Sequence, residues 1–207
     1  MLPLESEALL DGDHSHLDRY PGLADWWRDA EQQWLTHRSS ARLTLRERLD
    51  FRGGLTDQLP APALRVVYGK AGMHVAAALV DDPRSVIENT LYWGTVTSRV
   101  EGHYLCEILN SPALTDLVRP LMSYGKDERH VDKHLWKLPI PRYDETDPQH
   151  RQLADLGHAC AEYVKTLDLD EGGNFVTLRR RVRSALAACS PAVEANTLVV
   201  SLLGPSQ

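Results

Sequence analysis

The run Leu64-Arg65-Val66-Val67-Tyr68 is followed by a glycine-bounded turn over residues 69–72, a second run over 74–80 and the acidic turn Asp81-Asp82-Pro83. Two short apolar runs, separated by a few residues containing glycine and closed by a turn cluster, read as a β-hairpin. This hairpin is the strongest constraint on what the chain can fold into. Residues 89–97 carry Thr90, Leu91, Tyr92, Trp93, Thr95 and Val96, β-branched and aromatic side chains that suit a pleated surface, and predict another strand. The middle of the chain is therefore β.

Both flanks follow the helical period. Over residues 23–38 the apolar positions Leu23, Trp26, Trp27, Ala30 and Trp34 recur at spacings of three and four, an amphipathic helix whose aromatic stripe belongs to a core or an interface. A shorter helix covers 43–49. Ser98 and Glu101 have capping-box spacing and open a helix through Tyr104, Leu105 and Ile108 to Leu109. Asn110-Ser111-Pro112 breaks it and seeds the next, over 113–122. Residues 135–141, Leu-Trp-Lys-Leu-Pro-Ile-Pro, predict a short strand that its two prolines confine to a sheet edge. Truncating Trp136 there would cost about 3–5 kcal/mol if its ring is in the core. After Asp147-Pro148, the spacing of Leu153, Leu156, Ala159, Cys160, Tyr163, Val164 and Leu167 gives a long amphipathic helix, with further helices over 176–189 and 193–203 beyond Gly172-Gly173. The expected class is α+β: a small mixed sheet with a hairpin, an N-terminal amphipathic helix and two or three C-terminal helices. The expected division is an acidic leader over 1–22, an α+β domain over 23–146 and a helical segment over 147–207.

Composition narrows the function classes. The 43% apolar and 25% charged shares are those of a soluble globular chain, and no apolar stretch approaches the roughly 18 residues needed to span a bilayer. The acidic start lacks the basic region of a secretory signal, so a cytoplasmic protein with no membrane partner is expected. Cys106, Cys160 and Cys189 are too few and too scattered for a disulfide framework or a zinc ribbon. The net charge of −6 lies entirely in residues 1–31, which hold eight acids and two bases; the remaining 21 acids and 21 bases cancel. Phosphate binding needs Lys and Arg, and the stretch 119–142 is locally basic, with Arg119, Lys126, Arg129, Lys133, Lys137 and Arg142.

Motifs for catalysis are missing. There is no GxSxG, P-loop, HExxH or GxGxxG. His130 and His134, with Asp132 between them, would share one face of a helix and could ligate a metal or serve a small hydrolase. Because the segment follows Gly125 and leads into proline-rich chain, hydrogen-bonding or surface histidines are the simpler expectation. His14 and His16 lie in the acidic leader and are expected to be solvated; His74, His103 and His158 are expected to be structural. Cys160 and Cys189 fall on apolar helix faces, as buried inert thiols do. The run Arg179-Arg180-Arg181-Val182-Arg183 spreads over more than one helix face, a solvated or acid-paired surface first and a phosphate contact second.

Several segments in order resemble the C-terminal part of large adenine-specific DNA methyltransferases of restriction-modification and related phage-defence systems. They are Leu23-Ala24-Asp25-Trp26-Trp27, His37-Arg38-Ser39-Ser40, Arg65-Val66-Val67-Tyr68-Gly69-Lys70-Ala71-Gly72, Tyr104-Leu105-Cys106-Glu107-Ile108-Leu109-Asn110-Ser111-Pro112 and the stretch from Arg129 to Pro141, passing into Asp147-Pro148-Gln149-His150. The resemblance covers about residues 23–203. The stretch 132–153 also resembles the point in Type I specificity subunits where a recognition domain gives way to a long helix. The family's glycine-containing cofactor motif and its Asn/Asp-Pro-Pro-Tyr/Phe motif do not occur here; Asn110-Ser111-Pro112 is the nearest approach. The resemblance therefore implies a target-recognition region for double-stranded DNA, not catalytic alone. The N6-adenine methyltransferase domain and its S-adenosylmethionine would lie elsewhere in the same or a neighbouring chain, with no cofactor bound by this one.

Such a module reads groove edges and grips phosphates while the catalytic domain extrudes the base. The candidate DNA contacts are Tyr68 and Lys70 at the hairpin turn, Arg99 near a helix start, and Lys126, Arg129, His130 and Lys133 in the polar loop. The alternative is a protein-interaction module that docks on a methyltransferase or another partner through its Trp-striped helix.

Overall fold

The computed structural model describes residues 2–5, 8–124, 129–169 and 174–204, with backbone alone for Tyr124, Arg129 and Asp132. The chain divides into two units, one of residues 1–62 with 83–89, the other of 63–82 with 90–207. These boundaries differ from the expected ones at residues 22 and 146.

In the first unit, β1 (Leu4–Glu5) pairs antiparallel with β2 (Ala8–Leu9). A 3-10 turn over Ser15–Arg19 leads into α1 (Pro21–His37), and α2 (Leu45–Leu49) follows. The acidic stretch is no detachable leader. Leu9 and Leu17 are buried with Ala24, Trp27 and Leu55 in one apolar cluster. Backbone groups of the stretch are bonded to α1: Trp27 Nε1–H donates to Leu10 O at 3.0 Å, Arg28 Nε–H to Gly12 O at 2.7 Å, and the Gly12 amide to Glu31 Oε1 at 3.1 Å. The aromatic stripe faces mainly inward, since Trp34 Nε1–H donates to Leu43 O at 3.0 Å and Trp26 alone of the three is half exposed. Residues 83–89 join this unit because the buried Gln58 amide makes two 2.8 Å hydrogen bonds with the backbone N–H and C=O of Ile87.

In the second unit β3 (Arg65–Gly69) is central, between β4 (Ala77–Val80) and β5 (Leu91–Thr95), all antiparallel. The sheet is thus antiparallel, not mixed. Val66, Val67 and Tyr68 are buried in succession, as a strand covered on both faces requires. The hairpin of the sequence is present, with Val67 opposite Ala78, but its second strand starts at Ala77 instead of residue 74. The preceding backbone finds helix side chains instead of β3. The Val75 amide donates to Thr115 Oγ1 at 3.3 Å, and Asn110 accepts from the Ala77 amide (2.8 Å) and donates to its carbonyl (3.0 Å), which also closes that sheet edge.

Helix α3 (Arg99–Asn110) begins where Ser98 Oγ accepts from the Glu101 amide at 3.1 Å. Ser111 ends it by donating to Ile108 O (2.8 Å), and starts α4 (Pro112–Val118) by accepting from the Leu114 amide (3.1 Å). Two short strands, β6 (Ser123–Tyr124) and β7 (Arg129–His130), pair next. The strand expected over 135–141 is instead a 3-10 turn, Asp132–Lys137, followed by unpaired chain. Pro139 and Pro141 have no amide to donate to a ladder, and the Val131 amide is already bonded to Lys70 O at 2.9 Å. Helix α5 (Pro148–Lys165), capped by Asp147, then α6 (Phe175–Ala187) and α7 (Ser190–Leu203) complete the unit. Leu153, Ala154, Ala195, Val199 and Leu203 share one core with Val66, Tyr68, Ile108, Leu109 and Leu114, so the C-terminal helices are part of this unit and not a separate segment. The fold is α+β. Among the described residues no single helix is long and apolar enough to cross a membrane.

Candidate nucleic-acid interface

The loop 70–76 between β3 and β4 gathers side chains from both sides. At its start the Lys70 amide donates to Thr90 O at 3.0 Å, and Ala71 bridges to His130 of β7, which sets that residue beside the loop. Lys70 Nζ stands 4.6 Å from the centroid of the Tyr92 ring, a cation–π contact. Tyr92 in turn lies 5.5 Å from Tyr68, and Trp136 meets Tyr68 edge-on at 5.7 Å with 47% of its surface exposed. Exposed His130 and Lys133 come from the adjoining segment. Aromatic faces beside cationic side chains suit nucleic acid, where bases stack and phosphates pair.

At its other end the loop meets arginines from two helical segments. A Cβ on Gly72, whose φ is +141°, would lie 3.8 Å from Arg179 Nη2, so that guanidinium rests against the turn. His74 is half-buried. Burial first, then repulsion from Arg183, Arg119 and Arg179, holds its imidazole below the usual histidine range, with Asp116 opposing. Asp116 also pairs with Arg119 at 3.4 Å. Arg179 and Arg183 are one helical turn apart on α6 and share a face, whereas Arg181 turns aside to donate to Asp168 O at 2.8 Å. Three guanidinium groups near one histidine, set against the single Asp116 carboxylate, leave a positive balance that suits an anion such as phosphate.

The sequence candidates fare unequally. Lys70 and His130 are brought together, and Lys133 is exposed in the turn that follows. Tyr68 is 1% exposed and is a core ring, not a DNA contact, because the central strand turns it inward. Arg99 is ion-paired with Asp81, whose carboxyl this pairing holds below its usual range. Asp81 lies beyond the far end of β4 from the loop, about 13 Å away at roughly 3.3 Å per strand residue. Lys126 and the Arg129 side chain lie outside the described residues. Sequence reasoning missed Tyr92, Trp136, His74 and Arg119 as members. The arginine run was the one visible signal, and nothing in it announced His74 as its neighbour.

Other chemistry is sparse. Glu107 on α3 is buried, and desolvation pushes its carboxyl up to about 7 despite a hydrogen bond with Cys160. Burial likewise pushes the Cys106 thiol up to about 12 and raises that of Cys160, so neither is a thiolate nucleophile. Among the described residues His130 and His134 join no metal-ligand group; the grouping found is Glu5, His14 and His16. The two histidines expected to be solvated are therefore assembled with a carboxylate, at 3-10 turn and β1 positions that only the folding of the first 20 residues brings together. Comparison with protein-family models, with curated proteins and with solved structures finds no match.

Proposed function

We propose that this chain is a DNA target-recognition module, non-catalytic by itself, of the kind that selects the site for an adenine-specific methyltransferase. The observation that carries the reading is the convergence on loop 70–76 of Lys70, His130 and exposed Trp136 at one end and of His74, Arg119, Arg179 and Arg183 at the other. Phosphate contacts from these bases position a duplex, and the loop with its aromatic neighbours supplies groups that reach base edges. The ordered resemblance to methyltransferase C-terminal regions supports the same reading. Methyl transfer and S-adenosylmethionine binding belong to a catalytic domain that this chain partners.

The test is fluorescence anisotropy with a labelled duplex across a salt series. With about three to five phosphates neutralised, log K falls against log salt with a slope of about −3 to −4. Arg179→Ala with Arg183→Ala weakens binding on every sequence and reduces that slope by about 2. A flat salt response, or a double variant indistinguishable from wild type, refutes the reading.

A second reading, docking on a partner protein, has one observation in its favour. Val193 and Val200 are seven residues apart on α7, so they share a face, and both are more than half exposed. The Trp-striped helix is the weaker docking surface, because Trp27 is in the core.

A further inference from the structure

We propose that Glu5, His14 and His16 form a binding site for a zinc-class divalent cation that fastens the N-terminal hairpin to the turn before α1. Each of the three offers one ligand atom, and these atoms lie within 4.8 Å of one another. Glu5 comes from β1, His14 caps the 3-10 turn Ser15–Arg19, and His16 is its second residue. The two imidazoles are 5.2 Å apart between centroids and nearly perpendicular, and His16 Nδ1 is in contact with Glu5 Oε1. A tetrahedral zinc with bonds of about 2.0–2.2 Å sets its ligand atoms roughly 3.3–3.5 Å apart. Glu5 Oε1 and His16 Nδ1 stand closer than this, so seating the ion requires that pair to part, while the His14 ligand atom already lies within 4.8 Å of the other two.

An ion pair accounts for His16 and Glu5, and His14 serves as the cap of the 3-10 turn. Besides its edge-on contact with the His16 ring, His14 accepts a hydrogen bond from the His16 amide to its Nδ1 at 3.3 Å, which is long for such a bond. Coordination through Nδ1 displaces that contact, and coordination through Nε2 moves the ring proton to Nδ1 and breaks it as well. Either route gives up one weak bond in exchange for a metal ligand.

The donor set selects the ion. Two imidazoles and a carboxylate suit zinc and its transition-metal neighbours, whereas calcium and magnesium require oxygen ligands throughout. The three cysteines are buried outside this site. The charge of the surroundings favours a cation, since residues 1–31 carry the whole net charge of −6. Glu5 and His16 also stand in the wall of a cleft of about 420 Å³, lined by Leu2, Leu4, Leu10 and Leu17 and by Arg19 and Tyr20. The fourth position of a three-ligand site is left to water.

The experiment uses the full chain without a polyhistidine tag. Calorimetric titration with zinc gives one-to-one binding at about 1 μM or tighter, some 8 kcal/mol of binding free energy. Zinc raises the melting temperature, and a chelator reverses the rise, as linkage requires. Cobalt gives the visible spectrum of a tetrahedral ion without thiolate charge-transfer bands. His14→Gln, His16→Gln and Glu5→Gln each weaken zinc binding tenfold or more, while His103→Gln with His158→Gln leaves it unchanged. In wild-type protein, zinc shifts the ring resonances of His14 and His16, a readout that needs no variant to fold. No heat and no melting shift with zinc, undiminished binding by the His14/His16 double variant, or a thiolate band with cobalt would each overturn the site.

Discussion

Glu107→Gln separates the energetic cost of a buried charge from the packing around it. Glu107 is 6% exposed on α3, where α5 comes so close that a Cβ on Gly157 would sit 3.0 Å from the Glu107 Cβ. Burial raises the carboxyl from 4.5 to about 7, so the folded state holds this proton more tightly than the unfolded chain does. Between those two values the folded state binds more protons, and stability falls as pH rises until the folded carboxyl has ionised. The rise from 4.5 to about 7 makes that loss about 3 kcal/mol, a large part of the roughly 5–15 kcal/mol typical of a domain. Gln keeps the volume and the acceptor oxygen for Cys160 but cannot ionise. The variant is therefore expected to match wild type within about 1 kcal/mol near pH 4.5 and to exceed it by about 3 kcal/mol near pH 8. For a chain of this length that is about 6–12 °C in melting temperature. Urea unfolding followed by far-ultraviolet circular dichroism, repeated over this pH range, measures both curves. Parallel curves, or a variant less stable than wild type near pH 8, would refute the argument that burial opposes the ionisation of Glu107.

Gly157→Ala puts a Cβ 2.5 Å from the His103 carbonyl oxygen, so the α3–α5 contact must open at a cost of about 2–3 kcal/mol. Gly22→Ala, with nothing within 4 Å, is the control and gains about 0.5 kcal/mol by thermal melting. Trp136→Ala removes a ring that is 47% exposed, and its unfolding cost is about 1–2 kcal/mol, below the range for a core tryptophan; duplex affinity by anisotropy falls as well. Burial and then the arginines hold His74 below the usual histidine range; a phosphate bound among Arg119, Arg179 and Arg183 relieves the arginine part, so binding takes up a proton and DNA affinity rises as pH falls. His74→Gln reduces that pH dependence, and a wild-type affinity independent of pH would contradict it.

The local features of this chain were legible because their physics is local. Ser98 caps α3 and Asp147-Pro148 opens α5 through bonds that reach two to four residues along the backbone, so the residue types and their spacing suffice. The same holds for β3, whose short apolar run beside a glycine-bounded turn identifies a hairpin strand. The candidate site was partly legible: Lys70 and His130 could be named from charge and loop position, and their adjacency came only with the Ala71–His130 bridge.

The sequence by itself determined an α+β chain with a β centre and helical flanks. It also determined that the acid is concentrated at one end, and that familiar catalytic motifs are missing. Tertiary structure decided which side chains face which. It sent Tyr68 inward and left Trp136 half exposed, it turned 132–137 into a 3-10 turn, it set His74 among three arginines, and it assembled Glu5 with His14 and His16. The physical reason is range. Helix caps, turns and strand propensity act over a few residues, whereas burial and electrostatic neighbourhood depend on backbone distant in sequence and are fixed only when the whole unit packs.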